Sequence, residues 1–525
     1  MFENAGMKPQ LGRRDFLKWA SLLPFLGVKW PGLVDQPRGF SRDSQAPNVL
    51  ILVFDTLSAR HVSLYGYQRE TTPNLARFAE RATVYHAHSA GGNFTSPGTA
   101  SLLTGTYPWS HRAFHIQGTM SRLFEARNIF SLFGSKGYYR IAYTHNQAAD
   151  ALLYQLRQHL DERKEPRELS VLFHPVPDRL FPNDYNVART AEAQFLRSGI
   201  GEDLWPSSLF LAWFYNTLWG QRAWSVKQKL ADAFPRGAPD YNSQERSGLI
   251  LLLEDAIDWL QTQVSRLPRP YLAYIHLFPP HAPYATRREF IDIFDDGWAP
   301  LPKPRLFFDQ EASEEHLNLQ RRLYDETIAY VDAEFGRLYD DLQKTGALEN
   351  TCLVFTSDHG EMFERGIIGH VTPALYHPLV HVPLLISRPG QAVREEVYTP
   401  TSAVDVLPTL LHVTGQPIPE WCEGEVLPPF GEGAAKSERG IFTVEAKENP
   451  KQGPLTKGTV SLRRGRYQLI HYFGYLGVER EFELYDLEND PEERENLYSP
   501  NNPLAVELQK ALEEKLQEMN RPYLA

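Results

Sequence analysis

Apolar runs recur along the chain and alternate with amphipathic segments. The runs end at Asp55, His145, Phe278, Asp358 and Ser387. Uninterrupted apolar runs are typical of strands that are buried on both faces of a parallel sheet. Helical periodicity lies between them, for instance at residues 72–82 and 316–345. The alternation predicts an α/β fold in which helices sandwich a large, mostly parallel sheet.

The pattern changes after about residue 415. Residues 459–474 read as a hairpin that turns at Arg464-Gly465, the segment EFELYDL reads as a further strand, and a helix covers about 504–519. Antiparallel strands followed by a helix predict a smaller α+β subdomain. We therefore expect a main domain over 47–415 and a C-terminal subdomain over 416–525.

The least regular part is an insertion at about 165–245, which contains a strongly aromatic segment at 204–224. Two interpretations stay open for this segment. It forms a helix that packs on the core, or it forms a lid or membrane-surface helix close to an amphiphilic substrate.

The N-terminal residues 1–46 read as an export signal and a linker. Arg13-Arg14 precedes a short apolar stretch that reaches Val28, which is the pattern of a twin-arginine signal. The pattern predicts a protein exported by the twin-arginine translocation machinery. No small-residue cleavage site is evident, so periplasmic, extracellular and N-terminally anchored forms all stay open.

Composition excludes several classes of protein. The chain has 525 residues, of which 42% are hydrophobic and 23% charged, as in folded proteins. Its formal net charge of −11 argues against nucleic acid as a partner. Cys352 and Cys422 are too few for a disulfide framework or a cysteine-rich zinc site. The absence of an apolar run of about 20 residues argues against a polytopic membrane protein.

Three polar positions follow predicted strands or begin a helix. Asp55 ends the first strand, and Asp358-His359 follows a later one. Since ligands collect at the carboxyl ends of parallel strands, an oxygen–nitrogen pair together with Asp55 indicates a divalent-cation site. Thr95 begins a small-residue helix, where the helix dipole favours anions and helps a hydroxyl to lose its proton. A simple helix cap by Thr95 or Ser96 is the alternative.

Seven segments, taken in order, resemble the sulfatase-type branch of the alkaline phosphatase superfamily over residues 48–500. They are NVLILVFDTL, LYGYQRETTPNLARFAERATVYHAHS, TSPGTASLLTGTYP, FPPHAPY, TSDHGE, GHVTPALYHPLVHVPLLI and ELYDLENDPEERENL. The resemblance implies a sulfatase-like α/β fold. It also implies an esterase or transferase that uses a divalent metal to act on sulfate or phosphate esters.

The resemblance assigns metal-binding roles to Asp55, Asp358 and His359, and it places Thr95 at the position of the nucleophile. The oxygen-rich ligand set suits one ion of Mg, Mn or Ca, while His359 leaves Zn open.

Three histidines complete the site that the resemblance implies. His281 matches a residue that contacts the substrate anion or the leaving group, and His370 matches one that protonates the leaving oxygen. His276 reaches the site by its strand position as a substrate-binding residue, with a place in the core as the alternative.

The nucleophile segment departs from the sulfatase pattern, in which Cys or Ser is converted to formylglycine. Thr95 cannot form that aldehyde, and Thr99 stands where the pattern has arginine. An unmodified threonine resembles instead the enzymes that transfer phosphoglycerol or phosphoethanolamine between lipids and glycans. We therefore expect cleavage of phosphate esters through a covalent Thr95 intermediate, with a lipid head group or an anionic glycan among the partners. A sulfatase without formylglycine and a silent anion-binding relative are the alternatives.

Overall fold

The computed structural model describes residues 46–172, 209–240, 249–308, 310–431, 439–478 and 481–524. The predicted signal before residue 46 lies outside these ranges, and so do large parts of the insertion at 165–245. The aromatic segment at 204–224 is described from residue 209 onwards. In the described ranges, no helix combines the length and the apolarity needed to cross a membrane.

The described strands and helices follow each other in the alternation that the sequence predicts. The strands are β1 (Asn48–Phe54), β2 (Thr83–Tyr85), β3 (His88–Ser89), β4 (Tyr139–Thr144), β5 (Glu162–Lys164), β6 (Ser170–Leu172), β7 (Ile250–Leu251), β8 (Tyr271–Leu277), β9 (Thr351–Thr356), β10 (Met362–Glu364), β11 (Ile367–Gly369), β12 (Leu384–Ser387), β13 (Glu395–Val397), β14 (Thr401–Ser402), β15 (Ile441–Glu445), β16 (Gly458–Arg464), β17 (Tyr467–Phe473) and β18 (Phe482–Asp486). The α-helices are α1 (Pro73–Ala79), α2 (Thr95–Thr104), α3 (Pro108–His111), α4 (Ile129–Ser135), α5 (Gln147–Gln155), α6 (Leu209–Leu230), α7 (Leu253–Val264), α8 (Glu314–Lys344), α9 (His377–Val380), α10 (Val406–Val413) and α11 (Pro503–Asn520).

The large sheet is mostly parallel, as predicted. Its strand order is β13-β2-β12-β9-β1-β8-β4-β5. The central strand β1 runs parallel to both neighbours, β8 and β9, whereas β12 is antiparallel to β9 and β2. Val53 of β1 pairs with His276 on one side and with Thr356 on the other. The carboxyl ends of these strands therefore meet at one edge of the sheet.

Helices cover both faces of this sheet because the strands are apolar on both sides. Leu50, Leu52 and Phe54 of β1 pack into one core cluster with α1, α7 and α8. Val49, Ile51 and Val53 point the other way and pack with α2, α4, α5 and α10. The two layers hold the strand ends in a fixed register.

The C-terminal part contains the predicted hairpin and helix. Strands β15 to β18 form a four-stranded antiparallel sheet, with β16 and β17 joined through Gly465. Helix α11 packs on it through Leu508 and Leu512. The backbone nitrogen of Val444 donates to Gly91 O at 3.0 Å, next to the chain that leads into α2. The domain boundary at 415/416 stays a prediction.

Candidate active site

Four chain segments deliver polar side chains to one edge of the large sheet. Asp55 directly follows β1, Asp358 follows β9, Asn146 follows β4, and His276 is the penultimate residue of β8. Asp55, Asp358 and His276 are completely buried, and Asn146 is nearly so. Buried charged groups require close partners, and here they face each other.

Asp55, His276 and Asp358 form the centre of this cluster. His276 Nε2 lies 3.5 Å from Asp55 Oδ2 and 3.7 Å from Asp358 Oδ2. Neither His276 Nε2 nor Asp55 Oδ1 has a hydrogen-bond partner among the described residues. On the other side of the ring, His276 Nδ1 lies 3.2 Å from the hydroxyl of Tyr274. If Nδ1 donates to Tyr274, Nε2 presents a lone pair to the two carboxylates.

His359 closes the cluster from the loop after β9. Its Nε2 lies 3.3 Å from Asp55 Oδ1 and 3.6 Å from Asp358 Oδ2, and its Nδ1 lies 3.0 Å from Gly360 O. Burial alone would lower the pKa of His359, but the carboxylates of Asp358 and Asp55 raise it to about 9. Burial and the charge of Asp55 raise the pKa of Asp358. The two buried carboxylates lie close together, so a positive charge beside them is needed to stabilise both in the ionised form.

Residues with oxygen and nitrogen ligands lie at the right spacing for a divalent cation. Single ligand atoms of Asp55, His276 and Asp358 all lie within 4.8 Å of one another. Unpartnered buried atoms and two adjacent carboxylates fit a cation bound between them. His276, which the sequence placed with the substrate, thus lies among the candidate metal ligands Asp55 and Asp358.

Thr95 lies beside this cluster at the start of α2. Its Oγ1 lies 3.4 Å from His359 Nε2 and accepts a hydrogen bond from Asn146 Nδ2 at 3.2 Å. Phe94 occupies the cap position of α2, and no side chain caps the helix. Thr95 is therefore a first-turn residue whose hydroxyl faces the cluster, and the capping alternative for Thr95 or Ser96 is wrong.

The small residues of α2 allow this close approach. A Cβ on Gly98 would lie 2.2 Å from Asp358 O, so only glycine fits between the helix and the loop that carries Asp358. The sequence showed that α2 is rich in small residues, and this contact explains the glycine at position 98.

Asn146 is a site residue that the sequence interpretation missed. Its Nδ2 also donates a short hydrogen bond to Asp55 Oδ2, so one amide orients the carboxylate and the threonine together. The signal was present, because Asn146 follows a predicted strand just as Asp55 does. Its Oδ1 caps α5 by accepting from Ala148 N at 2.7 Å, and a cap is how such an asparagine is normally interpreted.

His370 and His281 lie next to each other on the open side of the cluster. Their ring centres are 5.0 Å apart, and the ring of His370 is 4.5 Å from that of His359. His370 Nδ1 lies 2.9 Å from Glu361 Oε1, and His281 Nδ1 donates to Ala282 O at 2.7 Å. Burial lowers the pKa of His370, and the charge of Glu361 opposes this effect.

Asn93 holds the loop that carries His370 in place. Its side-chain nitrogen donates to the carbonyl oxygens of His370 at 3.1 Å, Thr372 at 2.7 Å and Ala374 at 3.1 Å.

The structure thus brings all the sequence-predicted site residues into one cluster, and it adds Asn146 and Glu361.

Comparison with family models identifies the chain. The model described as Sulfatase matches residues 47–154 and 215–416. The chain belongs to the sulfatase family. A second model, described as N-sulphoglucosamine sulphohydrolase, C-terminal, matches residues 372–522 of this sulfatase-family protein.

Similar proteins include sulfatases and phosphonate hydrolases. The chain is 32% identical to a choline-sulfatase of Rhizobium meliloti (strain 1021) over 259 residues, which is 45% of this chain and 48% of the relative. It spans about half the length of the curated relatives it matches.

Solved structures show the same fold. The phosphonate monoester hydrolase of Agrobacterium radiobacter aligns with a TM-score of 0.60 at 21% identity, covering 91% of this chain and 96% of that one. BT1596, a 2-O GAG sulfatase, aligns with a TM-score of 0.59 at 20% identity, covering 90% and 92%. At about 20% sequence identity, this similarity shows a shared fold and nothing more.

Proposed function

We propose that this protein is a metal-dependent hydrolase or transferase that cleaves phosphate or sulfate esters through a covalent Thr95 intermediate. The observation that carries the proposal is the position of Thr95 Oγ1. It lies 3.4 Å from His359 Nε2 and 3.2 Å from Asn146 Nδ2, at the edge of a buried two-carboxylate cluster. A threonine with a purely structural role does not require a hydroxyl placed beside buried carboxylates, a histidine and an amide donor.

The first step transfers the phosphoryl or sulfuryl group to Thr95. The Thr95 oxygen bonds to phosphorus or sulfur while the bond from that atom to the leaving oxygen breaks. Asn146 holds the attacking oxygen, and the amino end of α2 favours the negative charge of the group being transferred. Water or an acceptor hydroxyl then attacks the Thr95 adduct and releases the threonine.

His370 provides and recovers the proton. The Glu361 carboxylate at 2.9 Å offsets part of the effect of burial and favours the protonated imidazole, which donates a proton to the leaving oxygen and recovers it from the attacking hydroxyl. His281 donates Nδ1–H to Ala282 O, which leaves Nε2 as an acceptor that orients a substrate or acceptor hydroxyl. The two histidines therefore have different tasks.

Asp55, His276, Asp358 and His359 would hold the metal ion. When bound, a divalent cation lowers the pKa of the Thr95 hydroxyl, whose proton leaves to water, and it neutralises charge on the transferred group. The oxygen and nitrogen donors suit Mn or Zn as well as Mg or Ca.

Phosphate esters are the favoured substrate class because Thr95 cannot become formylglycine. The similarity to a choline-sulfatase and to a phosphonate monoester hydrolase supports anionic esters in general. A lipid head group and an anionic glycan stay the two candidate sources of the ester substrate.

The test is a panel of chromogenic phosphate monoesters, phosphate diesters and sulfate esters. Metal-loaded wild type is compared with Thr95→Ala and with Thr95→Ser, which keeps a hydroxyl at the same position. We expect turnover that is abolished in Thr95→Ala and partly retained in Thr95→Ser. Mass spectrometry of the quenched wild type then finds the transferred group on the peptide that contains Thr95.

Two outcomes would overturn the proposal. Equal turnover by wild type and Thr95→Ala would exclude the covalent intermediate. No turnover of any ester, with metal bound and acceptor alcohols added, would favour the anion-binding relative. Sulfate turnover that exceeds phosphate turnover would establish a sulfatase that works without formylglycine.

A further inference from the structure

A cavity of about 360 Å³ lies outside the candidate catalytic cluster. Its lining includes Arg60, His61, Tyr67, Trp298 and Arg321, and it includes no member of the cluster around Asp55. The His61 ring packs edge-on against Tyr324, 5.0 Å between centres, and Tyr324 donates to Thr56 O beside Asp55. Tyr324 thus stands between the two sites. The volume is in the range of sites for small ligands.

The cavity contains a buried guanidinium, Arg321, that forms no direct ion pair with a described carboxylate, although the charges of Glu364, Asp325 and Glu314 act on it. Arg321 is 6% exposed, and its guanidinium donates to Phe363 O and Asn318 Oδ1 but has no ion pair in the described part of the chain. Arg494, on the rim, donates to the carbonyl oxygen of Leu301 at 3.3 Å and to that of Pro302 at 3.2 Å. A buried guanidinium without a direct ion pair is costly, and an anionic ligand in contact with it would offset that cost.

The two carboxylates that line the cavity are already paired. Lys303 Nζ lies 2.7 Å from Glu364 and 2.9 Å from Glu492, and Arg60 forms a further ion pair with Glu492. The charge left over is therefore positive, in a chain whose net charge is −11. Such a local reversal of sign selects anions.

His61 is oriented for a ligand in the cavity. Its Nδ1 lies 2.7 Å from Asp325 Oδ1, while Tyr67 at 2.7 Å and Arg69 at 2.8 Å both donate to Asp325 Oδ2. Asp325 is buried and fully hydrogen-bonded, so it fixes the imidazole ring. Nε2 is then the polar atom of His61 that remains for a ligand.

An aromatic ring completes the wall. Trp298 is half-buried, packs edge-on against Tyr67 at 5.6 Å, and has the Arg69 guanidinium 5.1 Å from its ring centre. These contacts fix the Trp298 indole beside guanidinium groups, so its ring offers a flat apolar surface next to an anion site.

We propose that this cavity is a non-catalytic binding site for an acidic saccharide, a sugar unit that carries a carboxylate or a sulfate group. The anionic group meets Arg321, His61 Nε2 accepts a hydrogen bond from a sugar hydroxyl, and the sugar ring lies on Trp298. The site goes beyond the ester cleavage proposed above, since its residues are separate from Thr95 and the metal ligands. It would hold a charged glycan while one of its esters is processed, or anchor the enzyme to such a glycan.

The test measures equilibrium binding to the full-length Thr95→Ala protein by isothermal titration calorimetry. Three probes are used: methyl β-glucuronide, methyl β-glucoside 6-sulfate and uncharged methyl β-glucoside. The first two distinguish carboxylate from sulfate recognition. We expect the anionic probes to bind, and the uncharged one to bind at least about tenfold more weakly, because a charge-assisted contact is lost.

Variants locate the binding site. Trp298→Ala and Arg494→Ala change partly exposed residues, and Arg321→Met removes the buried charge. We expect Trp298→Ala and Arg321→Met to weaken binding by about tenfold or more, and Arg494→Ala by less, since rim charges contribute little. Arg266→Ala, which changes an exposed residue outside the cavity lining, is the control and leaves binding unchanged.

Several results would overturn the proposal. Binding that survives both Trp298→Ala and Arg494→Ala unchanged would exclude the cavity, and so would binding that is lost in His281→Ala instead. Equal binding of charged and uncharged probes, or none at millimolar concentration, would exclude an anion site. Ester turnover by wild type is measured separately, so failure of this site is distinct from failure of the proposed catalysis.

Discussion

Glu361 Oε1 lies 2.9 Å from His370 Nδ1, and the carboxylate is almost completely buried. Burial would raise the pKa of Glu361, but the adjacent charge of His370 lowers it below its ordinary value. Each group thus favours the charged form of the other. In the mechanism proposed above, this pair supplies the proton to the leaving oxygen.

The first prediction concerns Glu361→Gln. The variant keeps the size of the side chain but removes the charge that stabilises protonated His370. We expect kcat to fall by roughly tenfold or more for an alkyl ester and to change little for a 4-nitrophenyl ester, because a good leaving group needs no proton. The measurement is kcat for both esters, with Glu361→Asp as the control. An equal loss for both esters would show that Glu361 acts only through folding.

The second prediction separates the roles of His276 and His281. If His276 binds the metal, His276→Ala lowers metal affinity by roughly tenfold or more, as expected when a ligand is removed. His281→Ala is the matched control, which raises KM and leaves metal affinity unchanged. Metal affinity is measured by equilibrium dialysis, and KM by steady-state kinetics. A raised KM with normal metal affinity in His276→Ala would restore the substrate-binding role that the sequence indicated.

Much of this site could be predicted from the sequence because it follows strand ends. Asp55 directly follows an apolar run and Asp358 lies just beyond the end of another, and parallel strands bring such positions together. Asn146 follows the same rule, but it also caps α5, and the capping role concealed it. The antiparallel direction of β12 was not predictable, because a strand buried on both faces has the same pattern in either direction.

Glu361 was missed for a different reason. Strands β10 and β11 form a short hairpin in which Met362 pairs with Gly369, and this pairing brings Glu361 next to His370. Strands of three residues carry too little periodicity to predict such a hairpin. The contact therefore depends on tertiary structure.

The third prediction concerns the contact between α2 and the loop that carries Asp358. A Cβ at residue 98 would meet Asp358 O at 2.2 Å and Asp358 C at 2.9 Å, so backbone must move in Gly98→Ala. We expect destabilisation of about 1–3 kcal/mol and a loss of metal affinity, since overpacking shifts Asp358, a candidate metal ligand. Gly220→Ala in α6 is the control, because its Cβ would meet nothing within 4 Å. The stability of both variants is measured by thermal unfolding, and their metal affinity by metal titration. Wild-type metal affinity in Gly98→Ala would contradict the prediction.

The fourth prediction concerns Glu493, which lies away from the site at the junction with the C-terminal sheet. The residue is completely buried; its Oε2 accepts from His377 N at 2.8 Å, and its Oε1 accepts from Gln468 Nε2 at 3.0 Å. Burial raises the pKa of Glu493 to about 7, although Lys303 and Arg365 oppose the rise. The folded protein therefore retains a proton that the unfolded chain loses near pH 4.5.

This difference gives the contribution of Glu493 to stability a definite sign. Between about pH 4.5 and 7 Glu493 binds more protons in the folded state than in the unfolded chain, so its contribution to the free energy of unfolding decreases as the pH rises through this range. A shift of this size corresponds to roughly 3 kcal/mol. Glu493→Gln removes the titration but keeps only one of the two acceptor oxygens, so it loses one hydrogen bond at either pH. We expect the urea midpoint of the variant, relative to that of the wild type, to be higher at pH 8 than at pH 5. Urea unfolding at the two pH values measures the effect, and a constant difference between the proteins would show that Glu493 is ionised throughout.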